Sequence, residues 1–372
     1  MNIQNKYVRF VNRPINKPTK DVFKLDSKTI PDLKPGEFLL KNIYLSMDPA
    51  LVSRMREEKN YVEGVVLGEV MHAYGIAQVI QSRNEHVKVG EVRLGQVNMQ
   101  EFTTSNDHNS FKKINLGLAD AKSYLGMVGI TGATAYFAMR DICQPKKGET
   151  IIISSGASSV GSAAVQIAKQ HGCKTVGIVS TDAKAQRCKQ DWGYDAVISY
   201  RDKSIEELSH DIKMACPNGI DMYFDNTSGD ISEAVMDHYN IGARVAVIGR
   251  MGISHLNDTR LDVGRRDHSI MLAQRVKRQG FVILDYQHKL KGAFIQLASW
   301  IKSGVMTCKE DIDHGIENTP AAFFRMLDGK NNGKQIVQLA EIDHKLNPDS
   351  TILGALLVSR WFPTGYLVKR LT

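Results

Sequence analysis

The sequence predicts an α/β protein in which a mainly β domain precedes a doubly wound parallel sheet. Its 372 residues exceed what one compact core usually supports, so two domains are expected. Residues 1–123 show short apolar stretches broken by turn formers, with little helical periodicity. From about residue 148, buried strands alternate with helices, which is typical of a parallel sheet covered on both faces.

Six apolar segments are predicted to form the parallel sheet, as a Rossmann-type fold requires. They are residues 151–154, 175–179, 196–199, 221–225, 245–249 and 281–285. Between the first two, apolar residues recur at helical spacing from Val160 to Ala168, and Gly172 follows as a stop. A last strand is predicted at 333–339, and we expect it to return to the first domain.

These patterns divide the chain into three parts. Residues 1–125, joined by about 305–343, are predicted to form the first domain, and residues 126–304 the parallel-sheet domain. Residues 344–372 are interpreted as an amphipathic appendage with a predicted helix after Asn347-Pro348. The apolar stripe of that helix comprises Ile352, Leu353, Leu356 and Leu357.

Composition narrows the class of protein. The formal charge of +8 is spread along the whole chain, so we interpret it as favouring solubility, and without a clustered basic stripe no nucleic-acid partner is expected. No segment reaches the roughly 18 apolar residues of a membrane span, and no signal peptide is recognisable, so a cytoplasmic location is expected. The five cysteines are dispersed, and neither C-x-x-C nor H-E-x-x-H occurs, so no metal site is predicted.

A turn of small residues at 154–161 follows the first parallel strand and opens the amphipathic helix. Free backbone N–H groups and the positive end of the helix dipole at such a turn can bind a pyrophosphate. The segment departs from G-x-G-x-x-G because Ser158 replaces the middle glycine and adds a Cβ at a crowded place. A dinucleotide site is therefore predicted, with a purely structural turn as the alternative.

The end of the second parallel strand indicates which dinucleotide binds. An acidic residue there would accept hydrogen bonds from the ribose of NAD, but the strand ends at Ser180. We interpret Asp182 as the N-cap of the next helix, whereas Ser180 and Lys184 could bind a phosphate dianion. The sequence thus favours NADP(H), with a solvated helix face as the alternative role of Lys184.

From Gly126 to about Ile342 the sequence resembles the NADP-dependent alkenal double-bond reductases and prostaglandin reductases, a zinc-independent family of the medium-chain dehydrogenase/reductase superfamily. The resemblance is carried by GMVGITGATAYFAMRDICQPKKGET, KTVGIVSTDAKAQ, ACPNGIDMYFDNTSGD, RVKRQGFVILDY and GIENTPAAFFRMLDGKNNGK, and more loosely by LKNIYLSMDP, LGEVMHAYGIAQVIQSRN and QEFTT. It implies a GroES-like substrate domain joined to a Rossmann domain, NADP(H) as cofactor and a homodimer.

The resemblance also implies a set of cofactor contacts. Ser158, Ser159, Val160 and Gly161 would contact the pyrophosphate, Lys184 and Tyr200 the 2′-phosphate and adenosine, and Asn226, Ile248, Gly249, Phe281 and Asn331 the nicotinamide half. Each has an alternative role, because Ile248 and Phe281 could be core residues of strands and Asn226 and Asn331 simple turn formers.

The implied reaction is reduction of the carbon–carbon double bond of an α,β-unsaturated aldehyde or ketone. Hydride from NADPH would reach the β-carbon, hydrogen-bond donors would stabilise the charge on the carbonyl oxygen, and the α-carbon would then be protonated. Two positions depart from the family, since Ala50 and Leu256 stand where many relatives carry a Tyr. Tyr74 and His255 are the candidate substitutes, and our hypothesis is that the cofactor ribose hydroxyl and solvent suffice as proton donors.

Two other functions compete with this one. Quinone reduction would use the same scaffold and the same NADPH site, and a non-catalytic NADPH-binding protein would act through its surface or tail. In the tail, Arg360-Trp361-Phe362 and Lys369-Arg370 flank apolar residues and could lie on an anionic membrane. Packing of the tail against the protein or a second subunit is the interpretation we favour.

Overall fold

The computed structural model describes residues 3–15, 17–56, 64–253, 256 and 259–346. Within these ranges the strands are β1 (Gln4–Phe10), β2 (Phe23–Thr29), β3 (Phe38–Ser46), β4 (Tyr74–Ser82), β5 (Val92–Gln96), β6 (Phe102–Ser105), β7 (Lys112–Lys113), β8 (Thr150–Ser154), β9 (Lys174–Val179), β10 (Ala196–Ser199), β11 (Ile220–Asp225), β12 (Tyr239–Val247), β13 (Lys277–Gly280), β14 (Glu310–His314) and β15 (Lys334–Gln338). The helices are α1 (Leu51–Arg54), α2 (Ile130–Ala138), α3 (Ser159–Gln170), α4 (Asp182–Trp192), α5 (Ile205–Ala215), α6 (Gly229–Met236), α7 (His268–Gln274), α8 (Leu290–Lys302) and α9 (Thr319–Leu327).

The parallel sheet has the strand order β10-β9-β8-β11-β12-β13, which is the order of a doubly wound Rossmann fold. Successive side chains of a strand point to opposite faces, and both faces of β8 are buried. Ile151 and Ile153 pack in the core with α2, α3 and α8, whereas Ile152 packs with α5 and α6. The sequence prediction of a Rossmann domain is confirmed.

The first part of the chain forms a second, mixed sheet in the order β14-β15-β3-β4-β5-β7, with β6 paired to β3. The late strand β15 runs antiparallel to β3, with Ile336 opposite Ser46 and Gln338 opposite Tyr44. The chain therefore returns to the first sheet after the parallel sheet is complete, and β15 brings the loop before it to the boundary between the two sheets.

Two of the predicted strands differ from the observed ones by more than one residue at an end. The segment 281–285 is not a strand: β13 comprises residues 277–280, and 3-10 helical turns follow at Ile283–Lys289. This edge strand has exposed, polar side chains and thus no apolar pattern, whereas Phe281 and Tyr286 belong to an aromatic stack beside it. The strand predicted at 245–249 ends at Val247, because the amides of Ile248 and Gly249 both donate to the carbonyl of Asp225.

The predicted appendage lies mostly outside the described residues, since the description ends at Leu346. Its helix and its contacts therefore stay predictions. Among the residues that the structure describes, no helix is long and apolar enough to cross a membrane.

Candidate functional site

A cleft of about 3190 Å³ runs between the two sheets, at the carboxyl ends of the parallel strands. Ligands of open α/β sheets bind at this edge, and a site for one drug-sized molecule is usually below about 1,000 Å³. The cleft therefore has room for a dinucleotide and a substrate together. The structure brings ten of the eleven predicted cofactor contacts to its walls: Ser158, Ser159, Val160, Lys184, Tyr200, Asn226, Ile248, Gly249, Phe281 and Asn331.

The turn before α3 accommodates Ser158 because this residue caps the helix. Its backbone is extended (φ −75°, ψ 164°), and its hydroxyl oxygen accepts the amide of Gly161 at 3.0 Å. The left-handed position of the turn is Ser155, at φ 52°. The missing middle glycine thus costs the turn little, and the N-terminus of the 12-residue α3 still faces the cleft.

Gly161 is the one predicted contact that does not line the cleft, and its cofactor contact stays a prediction. It lies behind the turn and outside the cleft lining, and its amide is occupied by Ser158. A Cβ at Gly161 would lie 2.6 Å from the carbonyl oxygen of Ser155. Glycine is needed here so that the helix can approach the turn.

The corner after β9 is a buried, basic pocket. The hydroxyl of Ser180 is buried and, in the part of the chain that the structure describes, has no hydrogen-bond partner. Lys184 lies one helical turn into α4, where desolvation lowers the pKa of its ammonium group. Such a pair can receive a phosphate dianion, because the anion would restore favourable interactions to both groups.

The N-cap prediction for Asp182 is wrong. Thr181 caps α4, since its hydroxyl oxygen accepts the amide of Lys184 at 3.3 Å. Asp182 is the first helical residue, and its carboxylate accepts the hydroxyl of Ser199 on β10. Sequence reasoning misses this pairing because Thr181 and Asp182 are both good cap residues and only the fold brings β10 beside α4.

A hydrogen-bond network joins the ends of β8, β11 and β12 at the middle of the cleft. The amide and side chain of Asn226 donate to the Ser154 hydroxyl (2.9 Å) and carbonyl (2.7 Å). The buried carboxylate of Asp225 accepts the hydroxyls of Tyr223 (3.0 Å) and Ser232 (2.7 Å). The residues predicted for the nicotinamide half thus lie on a rigid edge, and Asp225, which the sequence did not single out, holds that edge together.

Two further predicted residues flank this edge. Phe281 follows β13, and its ring stacks on Tyr286 with 5.1 Å between the ring centroids. Asn331 lies in the loop before β15, where its side chain donates to the carbonyl of Gly333 at 2.9 Å. The loop that carries Asn331 comes from the first sheet, so the cleft is closed by residues of both sheets.

On the other side of the cleft, Tyr74 begins β4 with 38% of its surface exposed. Its hydroxyl makes no hydrogen bond within the described residues, and partial burial raises its pKa. The nearby Tyr124 is different: its hydroxyl donates to the carbonyl of Asn115 at 2.7 Å, and burial raises its pKa to about 12. Ala50 and Leu256 also line the cleft, whereas the candidate His255 lies outside the described residues.

Comparison with known proteins agrees with this geometry. Residues 6–114 match the family model described as the N-terminal domain of oxidoreductase, and residues 159–300 match the one described as zinc-binding dehydrogenase. The NADP-dependent 2-alkenal reductase of Nicotiana tabacum is 31% identical over 91% of this chain and 98% of its own length. This chain belongs to the zinc-independent reductases of the medium-chain dehydrogenase/reductase superfamily.

Other relatives identify the cofactor of this reductase. Prostaglandin reductase 1 of Sus scrofa is 34% identical over 86% of the chain and 95% of its own length. The crystal structure of CurA in complex with NADPH from Vibrio vulnificus has a TM-score of 0.82 and 33% identity, and the match covers 90% of this chain and 99% of that one. The protein is an NADPH-dependent oxidoreductase of the alkenal, curcumin and prostaglandin reductase group, and the predicted cofactor NADP(H) is confirmed.

The residues of this reductase fit NADP(H). The buried hydroxyl of Ser180 has no hydrogen-bond partner among the residues that the structure describes, and a Cβ at Gly249 would lie 2.8 Å from the carbonyl oxygen of Asn226. The Ser180 hydroxyl is thus available to a phosphate beside Lys184, and the backbone at Gly249 is open to close approach by a ligand. No group of three or more His, Cys, Asp or Glu residues in the described ranges is placed to hold a metal ion.

One feature of the cleft was missed by sequence reasoning. Ser46, Asp48 and Lys334 meet at its floor, where the Asp48 carboxylate accepts both the Ser46 hydroxyl and the Lys334 ammonium group. Asp48 and Lys334 are separated by 286 positions in the chain, and only the pairing of β15 with β3 brings them together. No local pattern signals this contact.

Proposed function

We propose that this reductase reduces the carbon–carbon double bond of α,β-unsaturated aldehydes and ketones. Relatives named 2-alkenal reductase and (+)-pulegone reductase support this substrate class. The observation that carries the proposal is the Tyr74 hydroxyl, a hydrogen-bond donor that opens on the same cleft as the cofactor residues. When bound, NADPH supplies the hydride for the β-carbon.

On the cofactor side we assign roles by position in the cleft. The N-terminus of α3, at Ser158, Ser159 and Val160, receives the pyrophosphate. Lys184 and Tyr200, with Ser180, receive the 2′-phosphate and adenosine. The nicotinamide half lies along Asn226, Ile248, Gly249, Phe281 and Asn331.

On the substrate side, Tyr74 donates a hydrogen bond to the carbonyl oxygen and so stabilises the negative charge that forms there during hydride transfer. Its raised pKa keeps the hydroxyl protonated at neutral pH. Ala50 and Leu256 present apolar surface where a second hydroxyl is absent. With no second hydroxyl there, our hypothesis stays that solvent and the ribose hydroxyl of bound cofactor would supply the proton for the α-carbon.

An assay of NADPH consumption with a panel of enals, enones and quinones tests the substrate class, with NADH as the comparison. We expect turnover of enals and enones with NADPH. Turnover of quinones alone would replace the proposal by quinone reduction, and tight NADPH binding without any turnover would favour a binding protein.

The variant Tyr74→Phe tests the role of the hydroxyl. Loss of one donor at a developing oxyanion costs about 100-fold in preorganised sites, and we expect at least ~10-fold lower kcat here because Tyr74 is partly exposed. NADPH affinity should not change. Tyr7→Phe, a tyrosine of β1 that does not line the cleft, is the matched control. Full enone reduction by Tyr74→Phe would remove Tyr74 from the mechanism.

We also propose that the reductase is a homodimer that pairs through the outer edge of β13. This strand ends the parallel sheet, and the exposed apolar side chain of Leu272 lies in α7 just before it, outside the cleft lining. An unpaired strand edge beside apolar surface favours association with a second copy. Light scattering should give twice the chain mass, and Leu272→Asp should lower it; a monomeric wild-type protein would refute the proposal.

A further inference from the structure

The floor of the cleft holds an ion pair between a buried lysine and a partly exposed aspartate, to which the proposed reaction assigns no role so far. The Lys334 side chain is 5% exposed, and its ammonium group donates to the Asp48 carboxylate and, at 3.1 Å, to the carbonyl of Met47. The second carboxylate oxygen of Asp48 accepts the hydroxyl of Ser46. A buried ammonium group is costly unless it is paired and hydrogen-bonded, and here both conditions are met.

These contacts fix the turn 46–49 from several directions. The Met47 amide donates to the carbonyl of Gln335 on β15 at 3.1 Å. Met47 is therefore bound to β15 twice, through the main chain of Gln335 and through the side chain of Lys334. The carbonyl of Asp48 accepts the amide of Leu51 at 3.1 Å, which begins α1. The position of Ala50 and of α1, both on the substrate side of the cleft, therefore depends on where Lys334 holds the turn.

The other end of the Lys334 side chain faces the cofactor side. A Cβ placed at Gly126 would lie 3.6 Å from the Lys334 Cβ, so Gly126 lies beside the base of the Lys334 side chain, with space between them for about one methyl group. The Gly126 carbonyl accepts the Thr131 hydroxyl at 2.8 Å, and that hydroxyl is 2.9 Å from the hydroxyl of Ser159, the first residue of α3. Lys334 thus lies between the turn at the substrate side and the helix at the cofactor side.

We infer that Lys334 is a positioning residue for the reductase reaction: through Met47 and Asp48 it sets the turn 46–49, and with it the substrate wall, at a fixed distance from the cofactor wall. The inference rests on the proposed enone reduction. Hydride transfer needs its two reacting carbons in near contact, and a misplacement of about 1 Å costs on the order of 100-fold in rate.

Two variants separate positioning from stability alone. Lys334→Met leaves the partly buried Asp48 carboxylate, 30% exposed, without its cationic partner, and we expect a lower Tm of the cofactor-free protein. The double variant Lys334→Met with Asp48→Asn removes that charge, so its Tm should return toward the wild-type value. Its kcat for enones should nevertheless stay roughly 10-fold to 100-fold low, because the bond from Lys334 to the Met47 carbonyl is still missing.

Two further measurements and two further variants sharpen the test. The dissociation constant of NADPH, measured by fluorescence, should be unchanged in the double variant, and the isotope effect on kcat with NADPH deuterated at the transferred position should rise. Lys334→Arg should recover part of the activity, since it can bind both acceptors. Lys169→Met, which breaks an ion pair with Asp195 in which both side chains are exposed and which lies outside the cleft lining, is the matched control and should behave as wild type.

The inference is overturned if the double variant recovers both Tm and kcat, since Lys334 would then only neutralise Asp48. It is also overturned if NADPH affinity falls in parallel with kcat. Absence of enone turnover by the wild-type protein would instead refute the proposed function, so the two failures are distinguishable.

Discussion

The corner formed by Ser180 and Lys184 makes a quantitative prediction about cofactor choice. Replacing Lys184 by Met removes the ammonium group but keeps most of the side-chain volume. A hydrogen bond to a charged group contributes about 1.5–3 kcal/mol, and about 1.4 kcal/mol corresponds to tenfold in affinity, so NADPH should bind about 10-fold to 100-fold more weakly. NADH lacks the 2′-phosphate, and its affinity should be nearly unchanged.

The same group predicts a pH dependence. Desolvation lowers the pKa of Lys184 from its usual value of 10.5, and only the protonated form attracts the 2′-phosphate. NADPH affinity should therefore fall as the pH rises through this lowered pKa, whereas NADH affinity should not. Titration of both cofactors by fluorescence at several pH values measures this, with the exposed Lys189→Met on the same helix as control. Equal losses for NADPH and NADH in Lys184→Met would refute the assignment.

Three other changes test the site. Ser158→Ala removes the cap of α3 and should cost about 1 kcal/mol of stability in thermal unfolding, whereas Ser158→Gly should cost only a few tenths; equal losses would contradict the capping role. Gly161→Ala places a Cβ 2.6 Å from a carbonyl oxygen and should weaken NADPH binding more than Ser158→Ala does; unaltered binding would contradict the close approach. Because burial raises the pKa of Tyr74, kcat/KM for enones should show no alkaline loss from this group below about pH 10, and a loss that disappears in Tyr74→Phe would contradict its protonated role.

Much of the fold could be predicted because its signals are local. The residues of β8 are apolar and bounded by turn formers, and the amphipathic α3 follows directly. Each of these elements is therefore indicated by a few adjacent residues. The strand β13 shows the limit of this reasoning. Its polar residues lie at the edge of the sheet, where the strand pairs with one neighbour and needs no apolar pattern. The sequence therefore predicted a strand at the apolar residues that follow instead.

The candidate residues of the cofactor wall could be named from the sequence for the same reason, whereas the contacts of the substrate wall could not; the cofactor roles themselves stay predictions. Residues such as Ser158 and Lys184 lie within short segments whose spacing is fixed by one turn or one helix. The ion pair of Asp48 with Lys334 depends on a late strand that crosses to the first sheet, so its geometry follows from topology and not from spacing. Catalysis requires the cofactor wall and the substrate wall at a set separation. We therefore expect substitutions in this ion pair, which no local pattern reveals, to change the rate of reduction more than they change the affinity for the cofactor.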